Sequence, residues 1–341
     1  MDIVKIQDLE ATNASDDLLM LVEQPNGTIG RKLTVEEFKN FFTSYVIPQN
    51  WRDVTYPQIF DETSYIFGIA YGLGEFIAVG SNGHWGISLD GINWKNKGIL
   101  PNFSESNIRS IAVSADGFVA VGDNGAISVC RDGKTWIDVF EDTPSIFGET
   151  RLTAVASGGN RFLACGLDGK MGWSSDGSLW SLLPNATSIF ETATINAIAS
   201  GNGIWVAGGS QGKMAYSSFN NPYSWTEIVQ SSLSYIESIA YGNGIWVAGG
   251  SQGKMAYSLD GITWTAISQN IFPYDVNSIA YGNGMFVAVG EHAAMAYSLN
   301  GVNWFPMTAK TYAPATEIEV VAFGDGKFVT GAYGSLMAIL F

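Results

Sequence analysis

The sequence is poor in most residue types that carry chemistry or charge. Its 341 residues include 2 cysteines, 2 histidines, 10 prolines and only 14% charged residues. Cys130 and Cys165 fall in strand-like runs of neighbouring sequence copies, so they read as small buried residues rather than a bridge. His84 and His292 offer no His-x-x-x-His or Cys spacing, so no metal and no cofactor is expected. Lysine and arginine total 17 against 32 aspartates and glutamates, a net charge of −15. No basic cluster exists to neutralise phosphates, which argues against a nucleic-acid-binding surface, and the acidic balance argues against adhesion to anionic lipid. No apolar run reaches the ~18 residues of a membrane span. Residues 1–10 lack a basic stretch followed by an apolar one, so no signal peptide is expected.

What is abundant is glycine, at 40 residues, and a tryptophan that returns on a long period. It stands at Trp51, Trp94, Trp136, Trp180, Trp225, Trp264 and Trp304, a spacing of about 42 residues. The last six each close a copy of one sentence, clearest from Ser238 to Trp264. In that copy Ser238-Ile239-Ala240-Tyr241 reads as a strand and Gly242-Asn243-Gly244 as a tight turn. Ile245 to Gly250 is a second strand, Met255 to Ser258 a third, and Thr263-Trp264-Thr265 a fourth. Four short antiparallel strands per period make the unit of a β-propeller blade. The first-strand motif recurs as Ile69-Ala70-Tyr71, Ile111-Ala112-Val113, Val155-Ala156-Ser157, Ile198-Ala199-Ser200, Ile279-Ala280-Tyr281 and Val321-Ala322-Phe323. Its central alanine is expected where inner strands crowd around an axis.

The last copy ends at Phe341 after its third strand, while a spare tryptophan strand, Asn50-Trp51-Arg52, precedes the first copy. Ring closure accounts for both: the early strand supplies the outer strand of the last blade and removes an open sheet edge. The predicted fold is therefore all-β, a seven-bladed propeller over residues 47–341, behind a separate segment at residues 1–46. That segment reads as a hairpin, Leu18 to Val22 and Thr28 to Leu33, followed by a helix from about Val35 whose capping box is Thr34 with Glu37. Leu18, Leu21, Phe38, Phe41 and Phe42 supply its apolar positions, the three phenylalanines on one helix face. It is too small to hold a core alone and is expected to fold against a partner or another copy.

Two resemblances follow from these residues. Ser88-Leu89-Asp90-Gly91-Ile92-Asn93-Trp94, and the same pattern from Ser258 to Trp264, resembles a shortened Asp-box of sialidase-type propellers. Asp132 and Asp176 fit it, Asn300 is a close substitute, and the Ser218-Phe219-Asn220-Asn221 copy departs from it. The resemblance implies turn-closing aspartates and packed tryptophans. At the other end, Ile6-Gln7-Asp8-Leu9, Asp16-Asp17-Leu18-Leu19 and Gly27-Thr28-Ile29-Gly30-Arg31-Lys32-Leu33-Thr34 resemble the N-terminal segment of tailed-bacteriophage tail fibres and tailspikes. That resemblance covers about a tenth of the chain and implies a virion protein, attached to other tail or baseplate proteins through residues 1–46, with trimers common among such fibres.

Enzyme chemistry is not expected. Sialidases need three arginines on a carboxylate, but Arg131 lies in an Asp-box turn and Arg161 at a turn end; Arg109 and Arg151 lack a third. Glu237 and Glu319 start equivalent strands and can approach across the channel mouth, where a glycosidase pair would stand. The same position holds Arg109, Thr153, Asn196 and Asn277 in other blades, which favours a solvated polar ring. Phe60, Phe103, Phe147, Phe190 and Phe272 recur before the inner strands and read as buried plugs. Tyr56, Phe140, Tyr235, Tyr274 and Tyr312 are irregular and are candidates for stacking on sugars. Lys170, Lys213 and Lys254 occupy one equivalent turn in three consecutive blades, a candidate positive stripe for an acidic glycan. The expected function is binding of a host-surface glycan or protein. The alternatives are a structural virion connector and, third, a glycan hydrolase.

Overall fold

The computed structural model describes residues 51–53, 59–139, 146–229, 232–307 and 312–341. The expected hairpin and helix, with Leu18, Leu21, Phe38, Phe41 and Phe42, lie outside the described residues. So do Tyr56 and Phe140.

Seven separate four-stranded antiparallel sheets form the blades of a propeller. Blades 1 to 6 follow the chain in simple order, over residues 66–99, 108–139, 152–182, 195–228, 236–266 and 276–307. Blade 7 takes its first three strands from residues 318–340 and its outer strand from Arg52–Asp53. Arg52 pairs with Ile339 and Asp53 with Ala338, so the two ends of the ring are locked in one sheet, as the spare tryptophan strand predicts.

Each blade buries its strands according to their distance from the axis. The second strand is buried along its whole length in Glu75–Gly80, Gly117–Gly122 and Met285–Gly290, and is apolar throughout in the last two. A strand covered on both faces by neighbouring blades has no polar face to alternate with. The outer strands are largely exposed, as in Trp94–Ile99, where Trp94 is buried and both lysines are exposed.

The core is a set of clusters, each shared by two adjacent blades. Val119, Val121 and Ile127 of blade 2 pack with Phe147, Leu152, Val155 and Phe162 of blade 3 or its entry. The recurrent alanine belongs to these seams: Ala112 lies in that cluster, Ala70 in the one between blades 1 and 2, and Ala240 in the one between blades 5 and 6. The residue before the alanine faces the preceding blade instead, Ile111 in the cluster of blades 1 and 2 and Val155 in that of blades 2 and 3, and it also lines the channel cavity. The alanine is therefore small because the next blade approaches it where the inner strands crowd around the axis.

A second small residue does the same work. A β-carbon on Gly242 would stand 2.0–2.4 Å from ring atoms of Tyr281, and one on Gly282 equally close to Phe323. The inner strand ends in glycine so that the aromatic of the following blade can lie flat against its backbone.

The Asp-box closes the turn between third and outer strands. Asp260 accepts hydrogen bonds from the backbone N–H groups of Ile262 (2.8 Å) and Thr263 (2.7 Å) and from the Ser258 hydroxyl (2.9 Å). Burial acts against its charge, but those donors outweigh it and hold its pKa down to about 2. The indole N–H of Trp264 donates to Gly261 carbonyl, and Trp94, Trp180 and Trp304 repeat the bond to Gly91, Gly177 and Gly301. In the divergent blade 4, Ser217 closes a longer turn onto the carbonyls of Asn221 and Ser224, and the Trp225 indole N–H is buried without a partner.

Candidate functional site

The blades bring one residue each to the mouth of the central channel. In blade 1, Ile66 pairs with Gly80 and Gly68 with Val79, so Phe67 is the extra residue of a β-bulge. The same slip falls at Arg109, Thr153, Asn196, Glu237, Asn277 and Glu319. A bulge re-aims the side chain it frees, and all seven residues line one cavity of ≈ 220 Å³. The polar residues expected at this position, Thr153 among them, are thus brought together, with Phe67 completing the ring. Phe67 was legible in principle, two positions before Ile69 in the recurrent motif.

The ring is chemically divided. On one side Arg109 donates to Asp123 through Nε (3.0 Å) and Nη2 (3.1 Å), and Arg151 meets the same carboxylate at 3.0 Å. Burial would raise the pKa of Asp123, but the hydrogen bonds and charge of Arg109, with Arg151 behind them, hold it below its ordinary range. The Arg109 guanidinium also lies 4.8 Å from the centre of the Phe67 ring. Tyr65 stacks on Phe67 at 5.3 Å and Tyr333 tilts against Tyr65 at 4.8 Å, giving an aromatic cluster beside the arginine. On the other side stand Glu237 and Glu319. Burial, then the charges of Asp275, Glu319 and Glu291, pushes Glu237 up to about 7. Burial, then Glu317, pushes Glu319 up to about 7 against the pull of Arg109. Glu319 is thus among the charges that raise Glu237.

No protein-family model matches the chain, and no curated protein matches it. Solved structures do. YCF48 from Cyanidioschyzon merolae superposes with a TM-score of 0.65 at 15% identity, covering 85% of this chain and 98% of the other. A structure titled YCF48 bound to D1 peptide gives 0.66 at 15% identity, covering 85% and 94%. A streptogramin B lyase structure gives 0.67 at 14% identity, covering 85% and 97%. The likeness is one of fold.

The other candidates take different places in the propeller. Lys170 reaches the Phe147 carbonyl (3.0 Å) and the Thr150 hydroxyl (2.6 Å), and Lys213 reaches the Ile189 carbonyl (2.9 Å) and the Glu191 carboxylate (2.7 Å). Each lysine ties down the connection entering its own blade. Lys254 alone of the three is exposed, and its ammonium has no hydrogen bond or ion pair among the described residues. The three do not act as an open stripe. Tyr312 is buried, with its hydroxyl 2.6 Å from that of Thr330, so it joins Phe60, Phe103, Phe147, Phe190 and Phe272 as a plug and offers no ring face to a sugar. Tyr235 is half-buried. Tyr274 is 45% exposed and stacks on His292 at 3.9 Å, leaving its outer face open. Among the described arginines, Arg131 braces Ser178 and Asp176 of the next blade, and Arg161 donates to the Phe219 carbonyl and lies over Trp173. Neither joins Arg109 and Arg151.

Proposed function

We propose that the protein is a non-catalytic recognition module of a tailed-phage-like virion. Residues 1–46 attach it to other virion proteins, and the channel-mouth face of the propeller binds a host-surface ligand, foremost a polysaccharide. The observation that carries this reading is the mouth itself. Seven half-buried side chains converge there from seven blades, with the exposed rings of Tyr274 and Tyr333 on the same face. Open aromatic faces beside hydrogen-bonding groups suit a sugar, because rings stack with little entropy loss and the polar groups fix orientation. The N-terminal resemblance supports the virion role.

A second reading, a connector that contacts another protein, is favoured by the propeller of similar fold titled as bound to a peptide. Hydrolysis is third, because two carboxylates held near neutral pKa are the raw material of glycosidase chemistry. One assay separates the three. Labelled full-length protein is mixed with susceptible and resistant bacterial cells, and reducing sugar is measured in the supernatant. Recognition predicts binding to susceptible cells only and no sugar release. No binding to either sinks it in favour of the connector, and sugar release means catalysis.

A further inference from the structure

The inner strands of adjacent blades belong to separate sheets and are not paired by a backbone ladder, so the seams between them depend on side chains. In three seams the bulged residue acts as a latch onto the first carbonyl of the next inner strand. Thr153 donates to Ile195, Asn196 to Ile236 (3.1 Å) and Asn277 to Ile318 (3.1 Å). The repeat places Glu237 at the same position before Val276, and Glu319 before Ile66. A carboxylate is acceptor-only and cannot bond a carbonyl; a carboxylic acid donates as an asparagine does. Neither glutamate has a hydrogen bond or ion pair among the described residues. Their charged neighbours are Asp275, Glu319 and Glu291 around Glu237, and Glu317, Glu291 and the cation Arg109 around Glu319, which also faces the Tyr65 phenol. The seam from blade 7 to blade 1 depends on Glu319 most, because the next residue there is Val320, whereas Ser278 of blade 6 accepts from the Val321 N–H.

We infer that Glu237 and Glu319 are acid-form latches: protonated, they donate to the carbonyls of Val276 and Ile66 and close their seams; ionised, they release both and add two negative charges to the mouth. Their burial among acids, which puts both pKa values at about 7, agrees. The sign follows from the raised folded-state pKa. The folded protein holds these protons more tightly than the unfolded chain, so the stabilisation is complete below the ordinary carboxylate range. It is lost as pH rises through about 7.

The test uses the full-length protein, its Glu237→Gln and Glu319→Gln variants and the double variant. Glutamine keeps the shape and donates at every pH. Carbon-13 spectra of labelled glutamate carboxyls should show two groups titrating near neutrality, one vanishing in each single variant. Between pH 5.5 and 8.5 the wild-type melting temperature should fall by about 4 °C or more, and the double variant should lose that fall. The inference is overturned if every glutamate titrates below pH 6, or if the double variant melts with the wild-type pH dependence. The wild-type spectrum alone decides the first point if a variant fails to fold.

Discussion

Gly242→Ala is the sharpest probe of how the blades are held together. The added β-carbon would stand 2.0 Å from Cγ of Tyr281. That atom is the root of the ring, not a free tip, so Tyr281 must retreat by roughly 1.5 Å to regain ordinary contact. It cannot retreat freely, because its ring is already packed at 4.7 Å against Phe286, which is fully buried. Overpacking of this kind costs about 1–3 kcal/mol, and in a domain of this size each kcal/mol lowers the melting temperature by about 2–4 °C. The expected fall is therefore roughly 2–12 °C, read by calorimetry or circular dichroism. A double-mutant cycle identifies the cause. Tyr281→Ala removes the obstructing ring, so Gly242→Ala should cost much less in that background than in the wild type. If Gly242→Ala leaves the melting temperature unchanged, or if its cost is the same with and without Tyr281, the close-approach account of these glycines is refuted.

Three further outcomes are expected. Asp260→Ala removes the acceptor of the turn N–H groups; the carboxylate is mostly exposed, so screening limits the loss to about 1 kcal/mol at pH 7. Because its folded pKa is depressed to about 2, that contribution is present above the ordinary aspartate range and disappears as pH falls through about 2, which urea melts at pH 7 and pH 2 will show. Deleting the chain through Asp53, rather than only through Val46, strips blade 7 of its outer strand and exposes the edge Met337–Leu340; size-exclusion chromatography should show self-association in the longer deletion that the shorter one lacks. Lys213→Met should lower the melting temperature measurably, since it cuts two contacts to the connection at Ile189 and Glu191, whereas Lys254→Ala should leave it unchanged.

Much of the architecture was readable because it repeats. The tryptophans mark outer strands, Asp90 and Asp260 mark closed turns, and the unmatched Trp51 strand points to the ring closure seen in blade 7. The polar ring at the mouth was readable for the same reason, since Arg109, Asn196, Glu237, Asn277 and Glu319 share one place in the period. What did not show was direction. Periodicity located the recurrent alanine and the glycine after it, but not that both face the next blade. It located Lys170 and Lys213, but a lysine folded back on a carbonyl looks the same in sequence as one extended into solvent. Tyr312 looked irregular because a tyrosine replaced phenylalanine in the plug series, and only Thr330, eighteen residues on, explains its hydroxyl.

The measurement that tests the functional claim most directly is a comparison of the two propeller faces. Tyr274→Ala and Tyr333→Ala alter exposed rings, one before an inner strand and one between a second and a third strand, the ends that antiparallel strands bring to the mouth face; Leu259→Ala alters an exposed side chain after a third strand, which the same alternation puts on the opposite face. Binding of the labelled full-length proteins to susceptible cells would be measured by titration. The account predicts at least about a tenfold loss of affinity in the tyrosine variants and none in Leu259→Ala. Unchanged binding by both tyrosine variants, with loss in Leu259→Ala, would place recognition on the other face and contradict it.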